Sequence, residues 1–233
     1  MIPGFSPTQT TIAEQRLEGV YPAVVRDVQD PDKQGRVRVE FPFLPAQQAS
    51  AAAPWARLAT LMAGNGRGSW FIPEVNDEVL VAFMAGDPRH PVVIGSLWNG
   101  EDAAPERMDS NNNLRSITSR SGHKLSFDDS SGSEKVKLIT SGGHSLTLDD
   151  TGGGTVRLSH SNGAELEIDS SGTILVRANS RVKVEAPAGL EVTAALVKVD
   201  AAISTFSGVV KCDALITNSV ASASYTPGAG NVW

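Results

Sequence analysis

Ser121-Gly122-His123-Lys124-Leu125-Ser126-Phe127-Asp128-Asp129 returns, with its glycine 21 residues further on, as Gly143-His144-Ser145-Leu146-Thr147-Leu148-Asp149-Asp150. A third, looser copy follows as Gly163-Ala164-Glu165-Leu166-Glu167-Ile168-Asp169. A fixed period of about 20 residues marks stacked structural units. Within each copy the apolar residues alternate, as Leu125/Phe127, Leu146/Leu148 and Leu166/Ile168, which predicts a strand with one dry face. A second short strand follows each: Val136/Leu138, Val156/Leu158 and Ile174/Val176. The connectors, such as Asp128-Asp129-Ser130-Ser131-Gly132 and Asp169-Ser170-Ser171-Gly172, are turn-forming. The second half of the chain therefore reads as a ladder of short strands carrying one thin apolar stripe.

A single copy of that ladder cannot bury its stripe. Each strand offers two or three apolar residues, and no second sheet is available to cover them. At about 25 cal/mol per Å² of apolar burial, a lone ladder does not offset roughly 1–2 kcal/mol per residue of backbone entropy. More than one chain is required, with the stripes turned to a common axis and edge strands paired between chains. Beyond the third copy the apolar pairs become smaller and closer (Val182/Val184, Leu190/Val192, Val197/Val199, Ile203, Val210/Cys212), so strands are expected to about residue 217 in a narrowing shaft. About eleven strands at roughly 4.8 Å spacing give a length on the order of 50 Å.

The first half has a different grammar. Val20-Tyr21-Pro22-Ala23-Val24-Val25-Arg26-Asp27-Val28 and Arg36-Val37-Arg38-Val39-Glu40-Phe41 flank an Asp30-Pro31-Asp32-Lys33-Gln34-Gly35 turn, predicting a hairpin. Trp55–Thr60, Asp77–Phe83 and Val92–Trp98 predict further strands, with Gly64-Asn65-Gly66-Arg67-Gly68 as a flexible loop. Five or six strands in about 80 residues without a helix suit a small closed or partly open barrel, which removes exposed edges. Residues 101–113, rich in Asp, Glu, Ala, Pro and Asn and without periodicity, read as a linker.

Asp30-Pro31-Asp32-Lys33-Gln34-Gly35-Arg36-Val37-Arg38-Val39, Trp55-Ala56-Arg57, Gly68-Ser69-Trp70-Phe71-Ile72-Pro73-Glu74-Val75-Asn76-Asp77-Glu78-Val79-Leu80-Val81 and Gly86-Asp87-Pro88-Arg89-His90-Pro91-Val92-Val93-Ile94-Gly95-Ser96-Leu97-Trp98 together resemble the OB-fold domain of the VgrG/gpV family. Members are central spikes of contractile phage tails, type VI secretion systems and extracellular contractile injection systems. Asn111-Asn112-Asn113-Leu114-Arg115 and the repeat that follows are similar to the start of that family's β-helical needle. The resemblance implies an all-β fold: an arm at 1–18, an OB-fold domain at 19–100, the linker, a triple-stranded β-helix at 114–220 and a tip at 221–233. It further implies a homotrimer whose β-prism core holds Leu125, Phe127, Val136, Leu138, Leu146, Leu148, Val156, Leu158, Leu166, Ile168, Ile174 and Val176. Tyr225, Thr226, Pro227, Gly228, Asn231, Val232 and Trp233 would then form a blunt tip for a PAAR-like cap protein. A large hub domain precedes the OB-fold in VgrG proteins; with about 18 residues here, the hub is expected to be a separate baseplate protein.

The remaining features are read against simpler explanations. His123 and His144 share a repeat position, and a repeat repeats its residues without a metal. The His-X-His pair that binds iron near the tip of some similar spikes has no counterpart after His160. Asp128-Asp129 and Asp149-Asp150 fit strand-end turns, and the paired carboxylates of a glycosidase would need a cleft. Trp55, Trp70, Phe71, Phe83 and Trp98 could form a base-stacking platform, but they lie in apolar strands and are assigned to core and trimer contacts. Residues 1–108 carry 13 acidic and 9 basic side chains, and residues 109–233 carry 13 and 11; neither half has the basic footprint of a nucleic-acid binder. Cys212, the sole cysteine, excludes an internal disulfide and reads as a small buried strand residue. No signal peptide or membrane helix is visible. The expected function is therefore mechanical, without catalysis or cofactor: a spike that plugs the tube and pierces the target membrane on contraction. It would be made in the cytoplasm and built into a tail or tail-like particle. A cell-wall hydrolase and an OB-type nucleic-acid binder are the alternatives.

Overall fold

The computed structural model describes residues 16–44 and 53–223, and every regular element there is a strand or a short 3-10 turn. The chain divides into two compact units, the first ending at Arg181.

The first unit opens with a barrel. Its strands are β1 (Val20–Asp27), β2 (Val37–Glu40), β3 (Trp55–Leu58), β6 (Glu78–Phe83) and β7 (Pro91–Leu97), closed in the order β1-β2-β3-β7-β6. Only β3 and β7 run parallel; the other neighbours are antiparallel. Period-two alternation sends Ala23 and Val25, Val37 and Val39, and Val79, Val81 and Phe83 inward, where Phe41, Ala56 and Val93 join them. Valine predominates because five strands enclose a narrow interior. Register shifts between Val25 and Asp27 and between Leu80 and Val81 supply the extra bend that closure needs.

The β1–β2 turn is knotted by one carboxylate. Asp30 accepts the backbone N–H groups of Asp32, Gln34 and Arg36 at 3.0, 2.8 and 3.2 Å, and the Arg36 guanidinium at 2.7 Å. This leaves Asp30 almost covered, and the Arg36 hydrogen bond holds its carboxyl well below the usual carboxylate range. Asp87 does the same for the β6–β7 turn through the Arg89 backbone N–H and guanidinium. The segment expected to be a flexible loop is a miniature hairpin, β4 (Ala63–Gly64) and β5 (Arg67–Gly68). Asn65-Gly66 supplies its two-residue turn, and Gly68 packs so close to the Met62 carbonyl that a Cβ would lie 2.5 Å from it.

The strand registers give the barrel two poles. Val20, Phe83 and Pro91 lie at one; Glu78 and Leu97 lie at the other. The chain enters at the first pole, where the Leu17 N–H donates to the Gly86 carbonyl and Tyr21, Phe41, Phe43 and Phe83 form an aromatic cluster with centroids 5.3–5.7 Å apart. It leaves from the opposite pole.

The linker region is held at both ends. Asn99 donates to Glu78 at 3.1 Å, and the Glu106 carboxylate takes the Ser116 hydroxyl at 2.8 Å and the Lys124 ammonium at 2.5 Å. Beyond it lies an antiparallel seven-stranded meander: β8 (Leu114–Thr118), β9 (Lys124–Asp128), β10 (Lys135–Ile139), β11 (Ser145–Asp149), β12 (Thr155–Ser159), β13 (Glu165–Ile168) and β14 (Ile174–Arg177). Each strand pairs only with its sequence neighbours. The Arg120 guanidinium reaches back to Glu74 on the barrel with two contacts of 3.0 Å.

The second unit, over its described residues 182–223, contains no strand. The expectation of strands to about residue 217 is thus not met within one chain, where seven of about eleven form. Val182, Val184, Leu190, Val192, Val197 and Val199 are all exposed, as is Cys212, which was expected buried in a strand. The physical reason is length: the meander uses about ten residues for each strand and its return turn, and a spacing that falls to 7–10 leaves too little chain to fold back on itself.

Gly35 sits at φ +73°, and a Cβ there would lie 3.0 Å from the Trp70 ring. Gly35→Ala should cost about 1–3 kcal/mol from left-handed strain and overpacking. Gly132→Ala, also at positive φ but facing open space, should cost less. Urea denaturation followed by tryptophan fluorescence measures the first, and by far-ultraviolet circular dichroism the second.

Candidate functional site

All twelve residues expected to face the assembly axis fall on one face of the meander. Because directly opposed residues in antiparallel strands share a face, the register builds two rows. Leu125, Leu138, Leu146, Leu158, Leu166 and Val176 are opposed in succession along one; Phe127, Val136, Leu148, Val156, Ile168 and Ile174 along the other. Ile117 extends the first row, while Arg115 stands at the head of the second. Ten of the twelve are exposed, and Leu125 and Val136 are half-covered. The buried apolar core lies wholly in the barrel. The sheet therefore presents a contiguous stripe two side chains wide with nothing packed on it among the described residues, far beyond the scattered exposure normal on a protein surface.

The opposite face is mostly polar, with Leu114, Ile139 and Leu175 among charges paired across strands: Lys135 with Asp149 at 3.7 Å, Arg157 with Glu167 at 2.6 Å, and Arg177 with Glu165. A face of matched charges is compatible with water, and the stripe is not, so burial demand is directed to one side.

The repeat's glycines and histidines have a shared task at the sheet edge. In four turns the glycine N–H closes onto the residue three before it: Gly122 to Ser119, Gly143 to Thr140, Gly163 to His160 and Gly172 to Asp169, at 2.9–3.0 Å. Each glycine has φ between +82° and +91°, which makes these three-residue hairpin loops with a glycine bulge. The histidine after the glycine then reaches the next turn on the same edge. His123 Nδ1 accepts the Ser141 N–H at 3.2 Å, and His144 Nδ1 accepts the Ser161 N–H at 3.3 Å. His144 also stacks on His160, with centroids 4.2 Å apart. The repeat period is the chain needed to leave an edge, traverse two strands and return to it. No cluster of three or more metal-ligating side chains occurs among the described residues.

The Asp-Asp pairs sit in turns. Asp128 accepts the Ser130 N–H, Asp149 the Thr151 N–H, and Asp169 those of Ser171 and Thr173, all at 2.8–3.0 Å. The side-chain hydroxyls of Ser130, Thr151 and Ser171, with these backbone N–H groups behind them, hold the three carboxyls below their ordinary values. Asp129 pairs with Arg115 at 2.6 Å, across the strand.

Of the five aromatics assigned to packing, Phe83 is in the core and Trp55 half-buried, with Arg36 over its ring at 6.0 Å. Trp70, Phe71 and Trp98 are exposed by 70–75%, which corrects any assignment of these three to the barrel interior. Trp70 and Phe71 line a groove with Leu61, Met62, Arg57 and Arg67 that was not legible beforehand. Two of the barrel's turn arginines, Arg36 and Arg89, are neutralised by Asp30 and Asp87 and so are not displayed for phosphates. Tyr225, Thr226, Pro227, Gly228, Asn231, Val232 and Trp233 lie outside the described residues.

Comparison with known proteins bears on the barrel above all. Residues 21–98 match the family described as the type VI secretion system/phage-baseplate injector OB domain. Type VI secretion system spike protein VgrG3 of Vibrio cholerae is 34% identical over 113 residues, which are 46% of this chain and 11% of that protein. Spike proteins VgrG1a and VgrG4b of Pseudomonas aeruginosa are 31% and 35% identical over 102 and 112 residues, covering 42% and 45% of this chain and 16% and 14% of theirs. The matched part is thus a small fraction of each relative.

The acid response follows from the turn carboxylates. A carboxyl held below its unfolded value contributes stability that is full above the unfolded pKa, near 3.9, and is lost as pH falls toward the folded value. Asp30→Asn should therefore melt below the parent protein at pH 7, with the gap closing as pH approaches about 2. Thermal melts by circular dichroism across that range measure the gap.

Proposed function

For a chain of the VgrG/gpV spike type, we propose the role of a homotrimeric central spike in a contractile injection apparatus. Three barrels form a collar at 19–100, and residues 114–220 of the three chains wind into a triple-stranded β-helical needle beyond the linker at 101–113. The observation that carries this reading is the two-row stripe from Leu125 to Val176, exposed on a sheet that directly follows an injector OB domain. Three such stripes turned to one axis supply one another's missing layer. The segments of residues 182–223, which form no strand in one chain, then gain strand neighbours from the other chains.

In this reading the part is mechanical. It plugs the tube and is driven through the target envelope when the sheath contracts, without catalysis or a cofactor. The polar face supports it, since matched ion pairs leave the outer surface wettable. A separate baseplate hub would meet the barrel pole where Leu17 enters, beside the aromatic cluster. A PAAR-like protein would cap the tip formed by residues 221–233. The protein would be made in the cytoplasm and reside in a phage tail or tail-like particle. The cell-wall hydrolase alternative finds no support in carboxylates committed to turns, nor the nucleic-acid alternative in a first half with 13 acidic against 9 basic side chains.

Light scattering on the full chain should give three times the 24.5 kDa chain mass. Leu148→Glu places a charge in the middle of the stripe, at a residue 43% exposed in the single chain. It should abolish the trimer while leaving the barrel folded, as read by tryptophan fluorescence. A monomeric parent protein would refute the proposal.

A further inference from the structure

The groove on the barrel has a composition of its own. Leu61 is 98% exposed, and Met62, Trp70 and Phe71 are 53–75% exposed. Arg57 and Arg67 line the same groove. Neither guanidinium has an ion pair or hydrogen bond among the described residues, whereas Arg26, Arg36, Arg38 and Arg89 of the barrel all do. Two unpaired cations beside an uncovered apolar surface describe a seat for an acidic segment carrying a large apolar side chain.

The chain contains one such segment. The linker reads Glu101-Asp102-Ala103-Ala104-Pro105-Glu106-Arg107-Met108-Asp109, four carboxylates against one arginine. Glu106 is committed to Lys124 and Ser116, but Glu101 has no cationic partner among the described residues. Asp109 accepts only the backbone N–H groups of Asn111 and Asn112. Met108 is 91% exposed. The linker does not occupy its own groove, and its attachment points explain why. It leaves β7 tied to β6 through Asn99 and Glu78, whereas the groove lies at β3, on the other flank of β7. Its far end is fixed to β8 and β9.

We infer that the linker of one chain lies in the Arg57/Arg67 groove of the next, with Met108 against Trp70 and Phe71 and the free carboxylates near the two arginines. This rests on the trimeric reading and adds to it a specific seam at the collar. The contact is heterologous, since the β6 flank of one barrel meets the β3 flank of its neighbour, and such contacts satisfy every copy when the rotation closes into a ring. Its charges fix which flank meets which, a selection of register and partner that complementary charge performs better than apolar area does.

The test places cysteines at Met62→Cys and Met108→Cys in a Cys212→Ser background of the full chain. Mild oxidation should yield a reductant-sensitive covalent trimer on a denaturing gel, and neither single-cysteine protein should. Arg57→Glu with Arg67→Glu should lower the cross-linking yield several-fold, and adding Glu101→Arg with Asp109→Arg should restore it. A particle of three-chain mass whose double-cysteine form stays uncross-linked, or closes the disulfide within one chain, overturns the linker seat and leaves the trimer standing. A monomer by light scattering overturns both.

Discussion

Uncovered apolar area governs this molecule. The barrel fills its interior alone: ten side chains converge on a closed sheet of five strands. The meander cannot do the same, because its apolar residues form a strip two side chains wide on one side of a single layer. A domain needs at least two packed layers around a core, and half of this chain carries one. Everything distinctive in the second half follows from that deficit. The polar side is neutralised by cross-strand ion pairs, the turns are tightened by glycine, and the described residues after Arg177 have no strand partner of their own chain.

The two halves also manage rigidity differently. In the barrel, single carboxylates gather several donors: Asp30 holds three backbone N–H groups and a guanidinium. In the meander the work is distributed, with most turns carrying one glycine closure and two histidines each joining a turn to the next on the same side. Between them, Arg120 to Glu74 and Lys124 to Glu106 tie the sheet to the barrel and the linker. Those exposed pairs contribute little stability individually, roughly 0–1 kcal/mol each, but they set the orientation of the first strands after the barrel.

Much of this was readable from residues alone, for identifiable reasons. The alternation Val37/Val39/Phe41 and the repeated Leu-x-Leu pairs are local signals of period two, and they located barrel strands and stripe. The Asp-rich connectors announced turns because a carboxylate two residues before an N–H caps it. What escaped the reading was one local turn and the features that depend on distant chain segments. Asn65-Gly66 looked like slack between glycines, although its dipeptide is a hairpin turn. The groove of Arg57, Met62 and Trp70 is assembled from separate stretches, and no local pattern signals which arginine finds a carboxylate. The later Val pairs imply strands, but whether a strand pairs within its own chain is not encoded in its alternation.

The neighbour-only pairing of the meander has a kinetic meaning. Every strand pairing in it joins segments a turn apart, so loop-closure entropy is met in small instalments and the contact order is low. Hairpins of this kind close in microseconds, and the strands can be added outward from the barrel as each emerges. Residues 182–223 offer no such local step. Local closure can therefore order the meander strand by strand, and residues 182–223 lack that route within a single chain.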